Sequence, residues 1–280
     1  MEDIFVRAVP FVVFPLVALG FMWAMKFLDD RRTSFDEDEQ LVRGKNMAVS
    51  LRKSGLYLGL AFGLAGALFG RSQGLLEDLV SFVLAGMVLM VLLFAAFVVN
   101  DKIILCRIDN DKAVSEGNTA VGLVEFAGYV SSGIIMHGAF SGEGGGIPAA
   151  AVFFLLAQAA LVAAFYLLEA FTPRNMCEEI EVKQNSAAGM DAAGMLIALA
   201  IILRAGLAGP FTGWLAGLIG FGLYLVAGLL ALMLFRVPCR ILFVPKVSYD
   251  REIAENRNLS VATLSSVVQV GLALVIAGTF

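Results

Sequence analysis

Apolar runs of about twenty residues alternate along this chain with short polar stretches. Eight such runs stand at about 8–28, 47–69, 79–99, 119–140, 148–171, 186–207, 212–235 and 259–280. A bilayer core about 30 Å thick needs roughly 20 apolar residues in a helix. Helices are the expected form, because inside a bilayer every backbone polar group must be satisfied without water. Each even-numbered run opens on the same pattern: Asn, any residue, Ala or Ser, then Val or Ala. It occurs at Asn46 (KNMAVSL), Asn118 (GNTAVGL), Asn185 (QNSAAGM) and Asn258 (RNLSVAT), with gaps of 72, 67 and 73 residues. A near-constant period means one structural unit used four times.

A longer period overlies the short one. Asn46 to Asn185 is 139 residues and Asn118 to Asn258 is 140, and Cys106-Arg107-Ile108 after the third run is echoed by Cys239-Arg240-Ile241 after the seventh. The predicted architecture is therefore all-α, with eight transmembrane helices as two parallel four-helix repeats over residues 1–141 and 142–280. Their pseudo-twofold axis is expected along the membrane normal, since every motif falls on the same side. The stretch Ser141-Gly142-Glu143-Gly144-Gly145-Gly146 lacks the Lys and Ser/Thr that close a P-loop. It reads as a flexible join between the halves.

Composition places this pattern in a membrane. Of 280 residues, 59% are hydrophobic and 16% charged, with a mean hydropathy of +0.85, against roughly 45–50% and about 25% for a soluble domain. Seventeen of the 20 Lys and Arg fall in or beside the loops that carry the motifs. Positive charge marks the cytoplasmic side, so the motif loops are expected there and both termini on the outer side of a bacterial inner membrane. The first run carries no cleavage site and its arginines follow it, so it reads as a span and not a removable signal. A net charge of −4 with no basic block does not suggest nucleic acid. Three cysteines without a CxxC pair and a single histidine, His137, fall short of the clustered ligands of a zinc site. No metal or cofactor is expected.

The candidate chemistry is sparse. Asparagine is a preferred helix N-cap, and the small residue two positions on lets a neighbouring helix approach closely. Caps and tight packing therefore account for Asn46, Asn118, Asn185 and Asn258. The competing reading is a ring of four asparagines lining a cytoplasmic vestibule. Glu39, Asp111 and Glu178 each stand seven residues before their asparagine. Acidic loops of this kind could attract cations or polyamines, although such runs are more often solvated surface.

Ionisable groups inside spans are costly and are functional candidates by default. Arg52, Lys53, Glu125 and Asp191 lie six or seven residues past their asparagines, roughly 10 Å along the helix. Arg52 and Asp191 share a slot in the two halves, so a salt bridge across the pseudo-twofold axis is expected. Glu125, whose counterpart is Ser265, is left to pair with Lys53. Arg52 shares a stripe with Gly55, Gly59 and Gly63, a pattern that favours close helix contact. Lys53 and Arg52 are also near enough to the interface to snorkel. His137 and Arg204 each fall 19 residues past an asparagine, near the outer interface. No nucleophile stands with a base, so no enzyme is expected.

Duplicated four-helix units in which an acidic residue precedes G-N-x-A-V at a helix start resemble the bacterial membrane family of domain of unknown function 350. Glu116-Gly117-Asn118-Thr119-Ala120-Val121 carries the match, while Gln184 and Arg257 replace the glycine in the last two units. The resemblance covers nearly the whole chain as two copies. It implies an inner-membrane protein without an established activity, some of whose relatives are associated with envelope-stress gene clusters. The expected function is a membrane scaffold with a homo-oligomeric or membrane-protein partner. The alternative is a channel or transporter for a small cation or polyamine.

Overall fold

The computed structural model describes residues 2–69, 74–105, 109–142, 144–170, 175–243, 245 and 248–279. Eight long helices stand where the eight spans are predicted: α1 (Glu2–Arg32), α3 (Met47–Ala67), α4 (Leu75–Val99), α6 (Thr119–Ser141), α7 (Gly146–Ala170), α8 (Ser186–Leu207), α9 (Trp214–Phe243) and α11 (Leu259–Ala277). Three short helices, α2 (Glu37–Val42), α5 (Asn110–Ser115) and α10 (Tyr249–Ala254), and a π-helical turn over Glu178–Val182 each precede one motif asparagine. No strand occurs among the described residues. Seven of the long helices are apolar enough to cross a membrane, and α3, with Arg52 and Lys53, is not among them. Cys106-Arg107-Ile108, Arg71, Glu143, Arg174 and Lys246 lie outside the described residues, as do the side chains of Arg7, Cys239 and Arg240.

The helices form a stepped two-layer array. The inner layer is the four asparagine-led helices in chain order, α3 on α6, α6 on α8, and α8 on α11. The outer layer is α1, α4, α7 and α9. Of these, α4 packs on α3 and α6, α7 on α6 and α8, and α9 on α8 and α11. One outer helix, one short segment and one inner helix make a unit, and the second, third and fourth units each seat their outer helix over the seam with the unit before.

This layout separates the two residues that were expected to pair between the halves. The helices holding Arg52 and Asp191, α3 and α8, do not pack on each other, because α6 lies between them. Neighbours in space are consecutive units, not equivalent positions of the two halves.

Small residues set the spacing of the inner layer. A Cβ on Gly55 would come within 2.6 Å of Phe126 Cα, and one on Gly66 within 2.5 Å of His137 Cα. On the next seams, a Cβ on Gly189 would lie 2.7 Å from Ala120 O and one on Gly194 2.8 Å from Ser266 Cα. Without a hydrophobic drive between helices in lipid, such backbone approach is what van der Waals packing can use. As a result α6 and α8 are buried along almost their whole length.

Candidate functional site

The asparagines do two jobs with one side chain. The Oδ1 of Asn46 accepts from Ala48 N and Val49 N, that of Asn118 from Ala120 N and Val121 N, that of Asn185 from Ala187 N and Ala188 N, and that of Asn258 from Val261 N. These are N-caps, satisfying backbone donors that have no partner within the helix. The Nδ2 donors point the other way. Asn46 donates to the carbonyls of Val114 (2.9 Å) and Ser115 (3.0 Å). Asn118 donates to Ile180 (3.1 Å) and Glu181 (3.3 Å), and Asn185 to Ile253 (2.8 Å). Each of these three asparagines thus ties its own helix start to the short segment of the following unit. Asn258 ends the series, donating to Glu252 of its own unit at 2.8 Å.

Asn118 is 1% exposed and Asn185 0%, so these two open onto no vestibule, whereas Asn46 borders a surface hollow of about 400 Å³ with Gln40, Lys45 and Ser115. The residue before each asparagine has a left-handed backbone: φ is 48° at Lys45, 88° at Gly117, 52° at Gln184 and 49° at Arg257. Glycine adopts that region freely, which explains Gly117 in the best-matching motif. The other three units hold the same turn with larger residues.

Sequence reasoning missed a second partner of the asparagines. The side chains six positions earlier, Gln40, Glu179 and Glu252, accept from Nδ2 of Asn46, Asn185 and Asn258. The second unit has Lys112 there, and its turn is one residue tighter: Asn118 N donates to Ala113 O, whereas Asn185 N donates to Glu179 O. Three of the four units carry Gln or Glu at this offset, a signal readable from the repeat alone. Of these, Glu252 is held below the usual glutamate range, chiefly by the Asn258 amide and then by that of Asn256.

In the first two units several charged side chains form one cluster. Arg52, 0% exposed, places Nη2 2.6 Å from Asp111 Oδ1 and Nε 3.5 Å from Glu125 Oε2. Arg32 lies 3.1 Å from Asp29 and 3.4 Å from the same Asp111 oxygen. Lys53 pairs with Asp30 at 2.8 Å and with Glu37 at 2.5 Å. Both arginines stand over the ring of Phe97, at 3.8 Å for Arg32 and 5.3 Å for Arg52, a cation–π arrangement. Two expected pairings are therefore corrected. Arg52 meets Asp111 and Glu125 instead of Asp191, and Lys53 meets Asp30 and Glu37 instead of Glu125. The cause is the stepwise array, which sets the sixth residue of one inner helix against the short segment of the next unit. Asp191 obeys the same rule and accepts from Tyr249 Oη, on α10, at 2.9 Å.

Outside the spans, Glu37 is pushed up to about 7, first by burial and then by the Asp29 charge. At the opposite end of the array Arg204 Nε donates to His137 Nδ1 at 3.1 Å, so the two residues of matching register meet across the α6–α8 seam. Among the described residues no group of three or more His, Cys, Asp or Glu is placed to hold a metal ion. The void beside the charged cluster, bordered by Asp29, Arg32, Phe97 and Tyr129, amounts to about 10 Å³, room for about one water.

An array of long apolar helices with capping asparagines and ion-paired charges buried between them defines a polytopic helical membrane protein. The particular family follows from comparison: the model of the Domain of Unknown Function (DUF350) family matches residues 3–140 and again 143–280, and the chain belongs to that family as two tandem copies. It is similar to a UPF0719 transmembrane protein of Aquifex aeolicus (strain VF5), 24% identical over 242 residues, covering 85% of this chain and 87% of that protein. No solved structure matches it.

Proposed function

We propose that this protein is a non-enzymatic membrane scaffold, a rigid helical array that organises an assembly in the bacterial inner membrane with its asparagine ladder on the cytoplasmic side. The single observation that carries this reading is the tight packing between the two ends of the array, where the larger voids lie, about 400 Å³ beside Asn46 and about 270 Å³ beside Phe153 and Tyr224. Glycine and alanine bring the inner helices into backbone contact, the asparagine amides are spent on the neighbouring unit, and the charges under them are paired with about one water's worth of space beside them. A conduction path needs a wet, multi-site route with weak binding along it. The cytoplasmic assignment rests on positive charge, with 17 of the 20 Lys and Arg at the ladder side.

Purified protein reconstituted into liposomes tests the reading. Flux of potassium, protons and spermidine is expected to equal that of protein-free liposomes. Flux above that level, lost on neutralising Glu125 or Asp191, would overturn the scaffold in favour of transport.

A further inference from the structure

We infer that the array continues from one molecule to the next, with the exposed face of α11 in one copy receiving α3 of a second copy. This rests on the assembly reading above and names the partner and the surfaces. Three seams inside the chain display the rule. Counting from each asparagine, position 9 of one inner helix meets position 8 of the next: Gly55 lies against Phe126, and Gly194 against Ser266. Position 2 meets position 4, as Ala48 lies against Gly122 and Ala120 against Gly189. Position 20 meets position 19, as Gly66 lies against His137 and Gly138 against Arg204.

The last helix keeps small residues at positions 2, 13 and 20 of this rule, carries valine in place of glycine at position 9, and has nothing seated on it. Gly271 and Gly278 repeat the register of Gly59 and Gly66, Ser260 that of Ala48, and Val267 that of Gly55. Ser260, Val267, Gly271 and Gly278 are all exposed, and a Cβ on Gly271 would meet nothing within 4 Å. The first inner helix keeps the receiving half. Ser50, Ser54, Ala61 and Ala65 stand at positions 4, 8, 15 and 19, the positions through which Gly122, Phe126, Gly133 and His137 of α6 contact α3. Ser54 is exposed and the other three are half-buried.

The amide ladder gives an independent sign of the same break. Asn46, Asn118 and Asn185 each donate to a following unit, and Asn258 has none within the chain. The carbonyls at the matching offset of the first unit are those of Leu41 and Val42. Val42 is 76% exposed, whereas Glu181 at the same register is 3% exposed. The proposed contact is continuous with the three internal seams, and it sets Asn258 of one copy beside Leu41 and Val42 of the next. Such a head-to-tail contact is heterologous, so it closes a ring or extends a filament according to the rotation per step.

Paired cysteines in membranes test it, with Ser54→Cys and Val267→Cys carried on differently tagged copies of the full chain. Disulfides need Cα atoms within about 7 Å. The expected result is a crosslinked dimer in the mixed sample and none when either variant is alone. Gly271→Leu, which has free space within one molecule, is expected to abolish that dimer while leaving the thermal midpoint of the protein within a degree or two. Crosslinking of Ser54→Cys with itself would overturn the head-to-tail contact in favour of a twofold one, leaving the scaffold reading intact. Absence of every crosslink, with single-step photobleaching of labelled protein in vesicles, would overturn self-assembly altogether. The scaffold reading itself falls by ion flux, a separate measurement.

Discussion

Arg52 and Asp111 lie 2.6 Å apart across the seam between the first two units, one on α3 and the other on α5. The guanidinium has no solvent exposure, and its charge is tolerable only because Asp111 and Glu125 stand with it. Truncating one partner of a buried pair strands the other at a cost of about 3–5 kcal/mol, whereas replacing the pair by packed apolar groups is often neutral. Asp111→Ala is therefore expected to destabilise by about that amount, and Arg52→Met with Asp111→Leu and Glu125→Leu to recover most of it. Chemical unfolding in mild detergent checks both arms.

The two functions of the ladder asparagines can be separated. Asn118→Asp keeps the oxygen that caps α6 and loses the amide that donates to Ile180 and Glu181. Leaving those carbonyls unmet is expected to cost about 1–3 kcal/mol. Asn118→Ala loses the cap as well and is expected to cost about 1 kcal/mol more. If the Asp variant unfolds at the wild-type midpoint, the inter-unit bonds contribute nothing.

Gln184 holds φ at 52°, a region that disfavours an L side chain by roughly 1–2 kcal/mol. Gln184→Gly should stabilise by about 1 kcal/mol, because local strain is relieved at a position that is exposed. Gly117→Ala, at φ 88°, should move in the opposite direction. Paired melting curves of the two variants read the sign directly.

Glu37 supplies a pH dependence. Its carboxyl is raised from 4.5 to about 7 by burial, then by Asp29. A raised folded-state value means the protonated form is favoured in the native protein, so its contribution is complete below 4.5 and is lost as the pH rises through about 7. Glu37→Gln is expected to flatten the fall in stability across that window. Unfolding midpoints of wild type and variant, taken at half-unit steps of pH, should converge at the acid end. Parallel curves would exclude Glu37 as the titrating group.

Much of the helical architecture is legible in the sequence, and particular residues show where legibility stops. The apolar runs located the long helices because helix length and bilayer thickness are physically coupled. Asn46 and its three counterparts were readable as caps because capping is local, involving only the next three residues. The partner of Arg52 was not readable. Register across the two halves pointed to Asp191, yet the pairing depends on which helices are neighbours, and the stepwise order of α3, α6, α8 and α11 carries no local signature. The left-handed turn at Lys45, Gln184 and Arg257 was hidden because only Gly117 advertises it, while in the other units it is closed by the asparagine N–H on a carbonyl six residues back. Gln40, Glu179 and Glu252 share an offset of six but lie outside the short motif that opens each inner helix.

The ladder also has a direction in time. The amide of Asn46 leaves the ribosome 68 residues ahead of the Val114 carbonyl it will meet, an interval of about 3–14 s at about 5–20 residues per second. During that interval the first helix pair holds Arg52 without Asp111 and an open glycine face without α6. The amides of Asn118 and Asn185 wait in the same way for Ile180 and Ile253, so each of these units is completed by chain that is made after it.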